Sequence, residues 1–188
     1  MKVLLHTCCA PCLIYPFQQL RDKGLAVRGL FYNPNIHPLS EYKNRKQAIQ
    51  VYAQKEQVEV EFPEYNPAEF FQAVNLKENN GRCLICWELR LKKTAQAARE
   101  AGFDYFSTTL LVSPYQDQQA LKDIGEKVAQ GTGIKFYYED FRPGFRPAHD
   151  QARAQGIYCQ RYCGCIYSEI EREKSKGKSK NEKPQLKS

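Results

Sequence analysis

Short apolar runs alternate with longer helix-like stretches along this chain, and this alternation limits its fold more than any other feature. A strand, a helix and another strand in succession are typical of an α/β domain with a mainly parallel sheet. Such sheets bind their ligands at the carboxyl ends of the strands. The predicted strands span residues 3–6, 26–32, 58–62, 105–108 and 135–138.

Several of the predicted helices have recognisable ends. Gly24 and Gly102 stand where a left-handed residue would end a helix. Ser113 and Pro114 form a helix-start signal, with a side-chain cap followed by proline. The alternation stops at Phe141, so we predict a loop there that could close over the functional edge. The predicted helices span residues 13–22, 40–55, 67–74, 84–100, 114–129 and 165–174.

The composition fits one domain with a basic tail. With 188 residues, of which 42% are hydrophobic, the chain can form the core of one ordinary domain. Seven basic and two acidic residues from Arg172 onward supply +5 of the net charge of +7. That segment lacks the apolar residues that offset the entropy of ordering. We predict a single domain at residues 1–173 and a disordered tail at 174–188, which could attract phosphates or only aid solubility.

The cysteine content is informative once the compartment is considered. The first residues form too short an apolar run for a signal peptide, and no segment approaches the roughly 18 apolar residues of a membrane span. We therefore predict a cytoplasmic protein without a membrane partner. In that reducing compartment, eight cysteines indicate metal binding or electron transfer more than structural disulfides.

All eight cysteines fall into three groups. Spacings of one to four residues within each group bring thiolates within reach of one ion. The first group directly follows the first predicted strand, so it should lie at the functional edge of the sheet. The groups are Cys8/Cys9/Cys12, Cys83/Cys86 and Cys159/Cys163/Cys165.

Three chemistries could use these thiols. Zinc could bind two pairs, but compact zinc modules separate their pairs by about 15–20 residues, and Cys12 and Cys83 are much farther apart. A thioredoxin-like oxidoreductase would use Cys9 and Cys12 and leave the other groups unexplained. Iron–sulfur clusters take up to four cysteines and leave spare thiols for electron transfer. We predict an iron–sulfur site, with a zinc-bearing nucleic-acid-binding module without redox chemistry as the alternative.

The Cys163-Gly164-Cys165 segment is a separate candidate for redox chemistry. Glycine can permit the tight turn that a disulfide between Cys163 and Cys165 needs. Such small rings are strained and easily reduced. We favour a redox-active pair here, and the alternative is that one of these cysteines is a further metal ligand.

Five segments in this order resemble the QueH-type epoxyqueuosine reductases, the cobalamin-independent family that completes the modified tRNA base queuosine. Together they cover nearly all of the chain before the basic tail. The segments are His6-Thr7-Cys8-Cys9-Ala10-Pro11-Cys12, Tyr32-Asn33-Pro34-Asn35-Ile36-His37-Pro38, Arg82-Cys83-Leu84-Ile85-Cys86, Thr108-Thr109-Leu110-Leu111-Val112-Ser113-Pro114 and Tyr162-Cys163-Gly164-Cys165.

The resemblance implies a Rossmann-like fold related to adenine-nucleotide-hydrolase domains, with a cysteine-rich C-terminal helical segment. It implies two-electron removal of the epoxide oxygen from epoxyqueuosine in the anticodon loop of tRNA, the last step of queuosine biosynthesis. An external electron donor would be required. Cobalamin is not expected, and neither is ATP, because the Ser-Gly-Gly sequence of related ATP-using enzymes is absent after the first strand.

The resemblance also assigns roles to cysteines. Four of them would hold a [4Fe–4S] cluster, and two others would form a redox-active pair. Cys12 would bind an additional iron or contact the substrate. The cluster ligands would be Cys8, Cys9, Cys83 and Cys86, and the redox pair would be Cys163 and Cys165.

Substrate binding and proton transfer need further residues. Arg142, Phe145 and Arg146 combine positive charge with an aromatic face, which suits a phosphate backbone and an exposed base. The same residues could instead form a solvated loop with one buried phenylalanine. The reaction also needs a proton donor. The candidates are His6, His37, Tyr115, Asp140 and His149.

Overall fold

A computed structural model describes residues 1–74 and 81–181. The strands are β1 (Lys2–His6), β2 (Ala26–Leu30), β3 (Val60–Glu61), β4 (Tyr105–Thr108) and β5 (Lys135–Phe136). They form one sheet in the order β3-β2-β1-β4-β5, and each neighbouring pair is parallel. This arrangement confirms the predicted parallel α/β fold.

Helices make the connections between these strands. Two short 3-10 helices, Thr109–Val112 and Arg142–Gly144, lie in the connections that follow β4 and β5. The α-helices are α1 (Ala10–Asp22), α2 (Leu39–Glu56), α3 (Pro67–Ala73), α4 (Arg82–Glu100), α5 (Gln118–Thr132), α6 (Phe145–Ala154) and α7 (Ile166–Asn181).

Strand β1 lies at the centre of the sheet, where the winding direction changes. His6 aligns with Leu30 of β2 on one side and with Thr108 of β4 on the other. The chain moves outward from β1 through β2 and β3, and then returns past β1 to β4. This reversal creates a topological switch point at the carboxyl ends of β1 and β4. The first cysteine group follows β1 at this point.

The side chains of β1 enter both cores of the protein. Val3 and Leu5 pack in one buried cluster with Leu13 of α1. Leu4 packs in a second cluster with Leu91 of α4. Successive side chains of a strand point to opposite faces, so a strand with helices on both sides is buried along its length. Burial fixes the end of β1, from which the cysteines extend.

The strand positions and two helix ends agree with the sequence predictions. β4 has the predicted bounds, whereas β3 and β5 shorten to two residues each. Gly24 and Gly102 have φ values of +77° and +68°, in the left-handed region predicted for helix ends.

Helix α5 begins later than the predicted residue 114. Asp117 caps it by accepting a hydrogen bond from the backbone N–H three residues later, at 3.0 Å. The Ser113 hydroxyl instead accepts a hydrogen bond from the backbone N–H of Tyr115, at 3.3 Å. Ser113 and Pro114 therefore form a turn before the helix, because a serine followed by proline suits both structures.

The loop predicted after Phe141 is largely helical. Residues Arg142–Gly144 form a 3-10 helix, and α6 follows directly. Pro147 lies in the first turn of α6, where the backbone N–H has no partner within the helix and proline is tolerated. A Cβ at Gly144 would lie 1.8 Å from the ring of Tyr15, so the absence of a side chain lets this segment pack closely against α1.

Helix α7 extends beyond the predicted residue 174 to Asn181 and includes the first part of the predicted tail. An ion pair of 2.6 Å between Lys176 and Glu173 supports this extension. Residues 182–188 of the predicted tail lie outside the described residues. In the described parts of the chain, no helix is long and apolar enough to cross a membrane.

Candidate metal and redox site

The first cysteine group is a cluster of three buried thiols. Cys9 is the N-cap residue of α1, with extended backbone angles (φ −169°, ψ 164°), and Pro11 lies in the first turn. The turn from β1 into α1 brings the sulfur atoms of Cys8, Cys9 and Cys12 within 4.8 Å of one another. Three thiols at this separation form a donor set for a soft metal ion or an iron–sulfur cluster.

Thr109 links the end of β4 to this group across the switch point. Its hydroxyl accepts a hydrogen bond from the backbone N–H of Cys8 at 3.1 Å and donates one to the Cys8 sulfur at 3.3 Å. Hydrogen bonds from Cys12, Cys9 and Thr109 hold the pKa of Cys8 well below its usual value. Cys8 is therefore the thiol of the group whose pKa is lowered, whereas the pKa values of Cys9 and Cys12 are raised.

His6, at the end of β1, lies next to the first cysteine group, and its ring is neutral. Its Nδ1 lies 2.9 Å from the hydroxyl of Thr108, and its Nε2 lies 3.2 Å from the carbonyl oxygen of Tyr32. A neutral ring satisfies both contacts, because Nδ1 can accept and Nε2 can donate. Burial, with the nearby charge of Arg90, lowers the pKa of His6 to about 3. His6 is thus poorly suited to donate a proton to a substrate.

A second cysteine group forms from two distant segments. Cys83 and Cys86 lie three residues apart at the start of α4, and Cys163 and Cys165 enter from the loop before α7. Burial raises the pKa of Cys86 to about 12. The predicted redox pair therefore lies beside two of the predicted cluster ligands. The four cysteines line one cavity with Asn35, Phe70, Arg82, Trp87 and Arg90.

A buried arginine holds the Cys163-Gly164-Cys165 segment in place. Arg45 of α2 donates hydrogen bonds to the carbonyl oxygens of Cys163 and Tyr162, both at 3.0 Å. Its Nε pairs with Glu41 at 2.7 Å. Gly164 has a φ of +133°, and a Cβ there would lie 3.3 Å from Nη1 of Arg45. Glycine therefore lets the loop adopt this conformation and pass close to the guanidinium group.

Arg90 of α4 is a second buried arginine, and its charge reaches both cysteine groups. Its Nε donates to the carbonyl oxygen of Cys86 at 3.2 Å. The thiols of Cys86, Cys163 and Cys8 all interact with the guanidinium charge. A nearby cation stabilises thiolates, the form in which cysteine binds metal.

Arg45, Arg90 and Thr109 are site residues that were not predicted from the sequence. Arg45 stands four residues after Glu41, and Arg90 stands four residues after Cys86. Residues four apart lie on the same face of a helix, so this spacing could have indicated both contacts from the sequence. Thr109 belongs to a segment that carries the family resemblance, but its contact with the first cysteine group depends on the pairing of β1 with β4.

An open cavity of about 280 Å³ is lined by Cys12 of the first group and Cys163 of the second. Phe145 and His149 of α6 form one wall, with ring centroids 4.5 Å apart. Nε2 of His149 is buried and has no hydrogen-bond partner among the described residues. The remaining lining residues are Ser113, Tyr115, Gln116, Gln160, Arg161 and Tyr162.

Of the three residues predicted to contact substrate, Phe145 lines this cavity and the two arginines do not. Arg142 is exposed, and its side chain donates two hydrogen bonds to Asp140, at 2.8 and 2.6 Å. Arg146 is exposed on α6. Arg161 supplies positive charge at the cavity instead.

The predicted proton donors have different surroundings. Tyr115 and His149 line the 280 Å³ cavity. His37 is buried and stacks on Phe71, with ring centroids 4.7 Å apart. Asp140 is bound to the guanidinium of Arg142, which lowers the pKa of its carboxyl group. His149 is half-buried, its Nε2 is a buried nitrogen without a partner at the cavity, and burial lowers its pKa.

Seven of the eight cysteines belong to the two groups. Cys159 belongs to neither, and its thiol donates to the carbonyl oxygen of Ile157 at 3.5 Å. The two donor sets, with buried positive charge beside them, fit a thiolate-bound metal or iron–sulfur group. Fold and site together define a parallel α/β protein with a cluster of three thiols at its switch point that could hold a metal ion.

Comparison with known proteins places the chain in one family of this class. The family profile described as epoxyqueuosine reductase QueH matches residues 3–171. A Dehalococcoides mccartyi protein of that name is 40% identical over 172 residues, which are 91% of this chain and 94% of that protein. A Thermotoga maritima protein of the same name is 38% identical over 179 residues, covering 90% and 91% of the two chains. The chain belongs to the epoxyqueuosine reductase QueH family, which confirms the resemblance.

A solved structure supports the fold alone. The crystal structure of a predicted subunit of a tRNA methyltransferase from Methanocaldococcus jannaschii has a TM-score of 0.54. The two chains are 11% identical, and the match covers 81% of this chain and 74% of the other. At this identity the likeness concerns backbone architecture only.

Proposed function

We propose that this protein reduces epoxyqueuosine to queuosine in tRNA at an iron–sulfur site. Two electrons and two protons convert the epoxide to an alkene and release its oxygen as water. The observation that carries the proposal is the family match over residues 3–171, which includes both cysteine groups. A tRNA substrate would place the reaction in the cytoplasm.

Four cysteines would hold a [4Fe–4S] cluster. The proximity of the Cys8 and Cys9 sulfurs and the buried charge of Arg90 beside both cysteine groups support this assignment. When bound, such a cluster supplies electrons one at a time and an iron that acts as a Lewis acid toward the epoxide oxygen. The ligands would be Cys8, Cys9, Cys83 and Cys86.

The remaining cysteines would serve electron transfer and the substrate. Cys163 and Cys165 are free thiols in one loop, and their oxidation to a disulfide would release two electrons and two protons, as the epoxide requires. An external donor would then reduce the disulfide. Cys12 belongs to the first group and also lines the 280 Å³ cavity, so it could bind an additional iron or contact the substrate.

The 280 Å³ cavity would receive the modified base. Tyr115, Phe145 and Tyr162 offer aromatic faces for stacking, and Arg161 offers a positive charge to a phosphate. Arg146, which is exposed on α6 beyond the cavity, could contact the tRNA backbone farther from the base, as could Arg142 if it leaves Asp140. His149 would carry one of the two protons that the epoxide oxygen needs to leave as water.

The reaction tests the proposal directly. We expect anaerobically purified protein to contain iron and acid-labile sulfide and, with dithionite as reductant, to convert epoxyqueuosine in tRNA to queuosine, measured by mass spectrometry of digested tRNA. Fully loaded protein that leaves epoxyqueuosine unchanged would contradict the proposed function. Colourless protein with stoichiometric zinc and full activity would contradict the iron–sulfur assignment.

A further inference from the structure

The two buried arginines differ in how their charges are balanced. Arg45 and Arg90 are each 1% exposed. The guanidinium of Arg45 pairs with the carboxylate of Glu41 at 2.7 Å. Arg90 forms no ion pair with a carboxylate in residues 1–74 or 81–181, and the charges that affect it most are those of Cys86, Cys163 and Cys8. A buried charge without a counterion is costly, so the surroundings of Arg90 require an anion.

One donor of Arg90 is also unused. Its Nε donates to the carbonyl oxygen of Cys86. Its Nη2 is buried and has no hydrogen-bond partner among the described residues. Arg90 lines the same cavity as four cysteines. The side-chain oxygen of Asn35, which lines this cavity too, makes no hydrogen bond to Arg90 among the described residues, so the four thiols are the acidic groups nearest to the free donor.

We propose that Arg90 donates a hydrogen bond from Nη2 to a sulfur atom of the bound iron–sulfur cluster and stabilises its reduced state. The inference rests on the proposed function, because it requires the cluster. Hydrogen bonds to sulfur and local charge are among the features that set the potentials of such clusters. Reduction adds negative charge, so a fixed cation favours the reduced state and raises the reduction potential. The hydrogen bond to the carbonyl of Cys86 fixes the guanidinium beside a proposed ligand.

The test is a redox titration of the full chain with its cluster loaded anaerobically. Arg90→Gln removes the charge, and Arg90→Lys keeps the charge but loses the guanidinium geometry. Arg99→Gln is the matched control, because it removes an exposed charge from the same helix. Iron and sulfide content, circular dichroism and the midpoint potential followed by electron paramagnetic resonance are measured for each.

We expect Arg90→Gln to keep its iron and sulfide and to have a lower midpoint potential than the wild type, with a smaller fall in Arg90→Lys and none in Arg99→Gln. An unchanged potential in loaded Arg90→Gln would overturn the inference. If Arg90→Gln does not fold, Arg90→Lys decides: a lower potential supports the inference, and an unchanged one overturns it. Loss of the cluster from a folded Arg90→Gln or Arg90→Lys would also overturn it, because a tuning residue leaves the ligands intact. Wild-type protein that binds no iron or sulfide would instead contradict the proposed function.

Discussion

The two cysteine groups differ in how the fold assembles them. Cys8, Cys9 and Cys12 come from one turn between β1 and α1, and their positions follow from local structure at the end of a buried strand. The second group joins the start of α4 to the loop before α7 and depends on contacts between distant segments, among them those of Arg45 and of His37 with this loop. Substitutions that disrupt the arrangement of the second group should therefore leave the arrangement of the first group unchanged.

The largest effect is expected from Cys8→Ser. Cys8 is the thiol of the first group whose pKa is lowered, and replacing it removes both a proposed ligand and the acceptor of the hydrogen bond from Thr109. Outer-shell changes alone reduce metal affinity or activity by about 10–100-fold, so we expect a loss of at least about 100-fold in epoxyqueuosine reduction. Cys159→Ser is the control and should stay near wild type. Equal activity of the two variants would contradict the assignment.

The second group is tested through Arg45→Gln. This change leaves Glu41 buried without its ion-pair partner, and breaking a buried pair destabilises a protein by about 3–5 kcal/mol. The free energy of unfolding in urea should fall by that amount. Arg28→Gln breaks an exposed pair with Glu59 and should change the free energy by about 1 kcal/mol or less.

The same variant separates the two groups. Loss of the hydrogen bonds to the carbonyls of Tyr162 and Cys163 should free the loop, so Cys163 should react faster with an alkylating reagent in metal-free Arg45→Gln, as measured by peptide mass spectrometry. Cys8 and Cys9 should not react faster, because losing the Arg45 charge disfavours their thiolate forms. Equal acceleration at Cys8 would mean that the groups are not built independently.

The same contrast explains what the sequence could predict. The position of the first group followed from its place after β1, because parallel sheets put their sites at strand ends. The junction of Cys86 with Cys163 could not be predicted, since it depends on how the loop before α7 packs against α2 and α4. Helix α6 was missed because Pro143 and Pro147 favour a loop, although Ala148 and Ala152 are buried four residues apart on one helix face.

The free energy of unfolding should fall in acid, because the buried ring of His6 next to the first group is neutral in the folded protein. The pKa of His6 falls from 6.5 to about 3 on folding, so the unfolded chain binds a proton between these values and the folded chain does not. The contribution of His6 to the free energy of unfolding is fully present above pH 6.5. It declines as the pH falls, by up to about 1.4 kcal/mol per pH unit. In His6→Asn, the free energy of unfolding in urea should therefore depend less steeply on pH between pH 7 and pH 4. An identical slope in both proteins would contradict the neutral, buried ring.

The smallest effect is expected from Thr109→Val, which removes one hydroxyl and keeps the shape of the side chain. The first group then loses a hydrogen bond that stabilises the Cys8 thiolate, and the backbone N–H of Cys8 loses its acceptor. We expect metal binding to weaken about tenfold, as for other outer-shell changes. Thr109→Ser keeps the hydroxyl and should restore affinity. Thr109 follows β4, on the other side of the switch point. A tenfold loss of metal affinity in Thr109→Val, with recovery in Thr109→Ser, would show that the first group depends on this contact as well as on local structure. Equal metal affinity in all three proteins would mean that the first group depends on the β1–α1 turn alone.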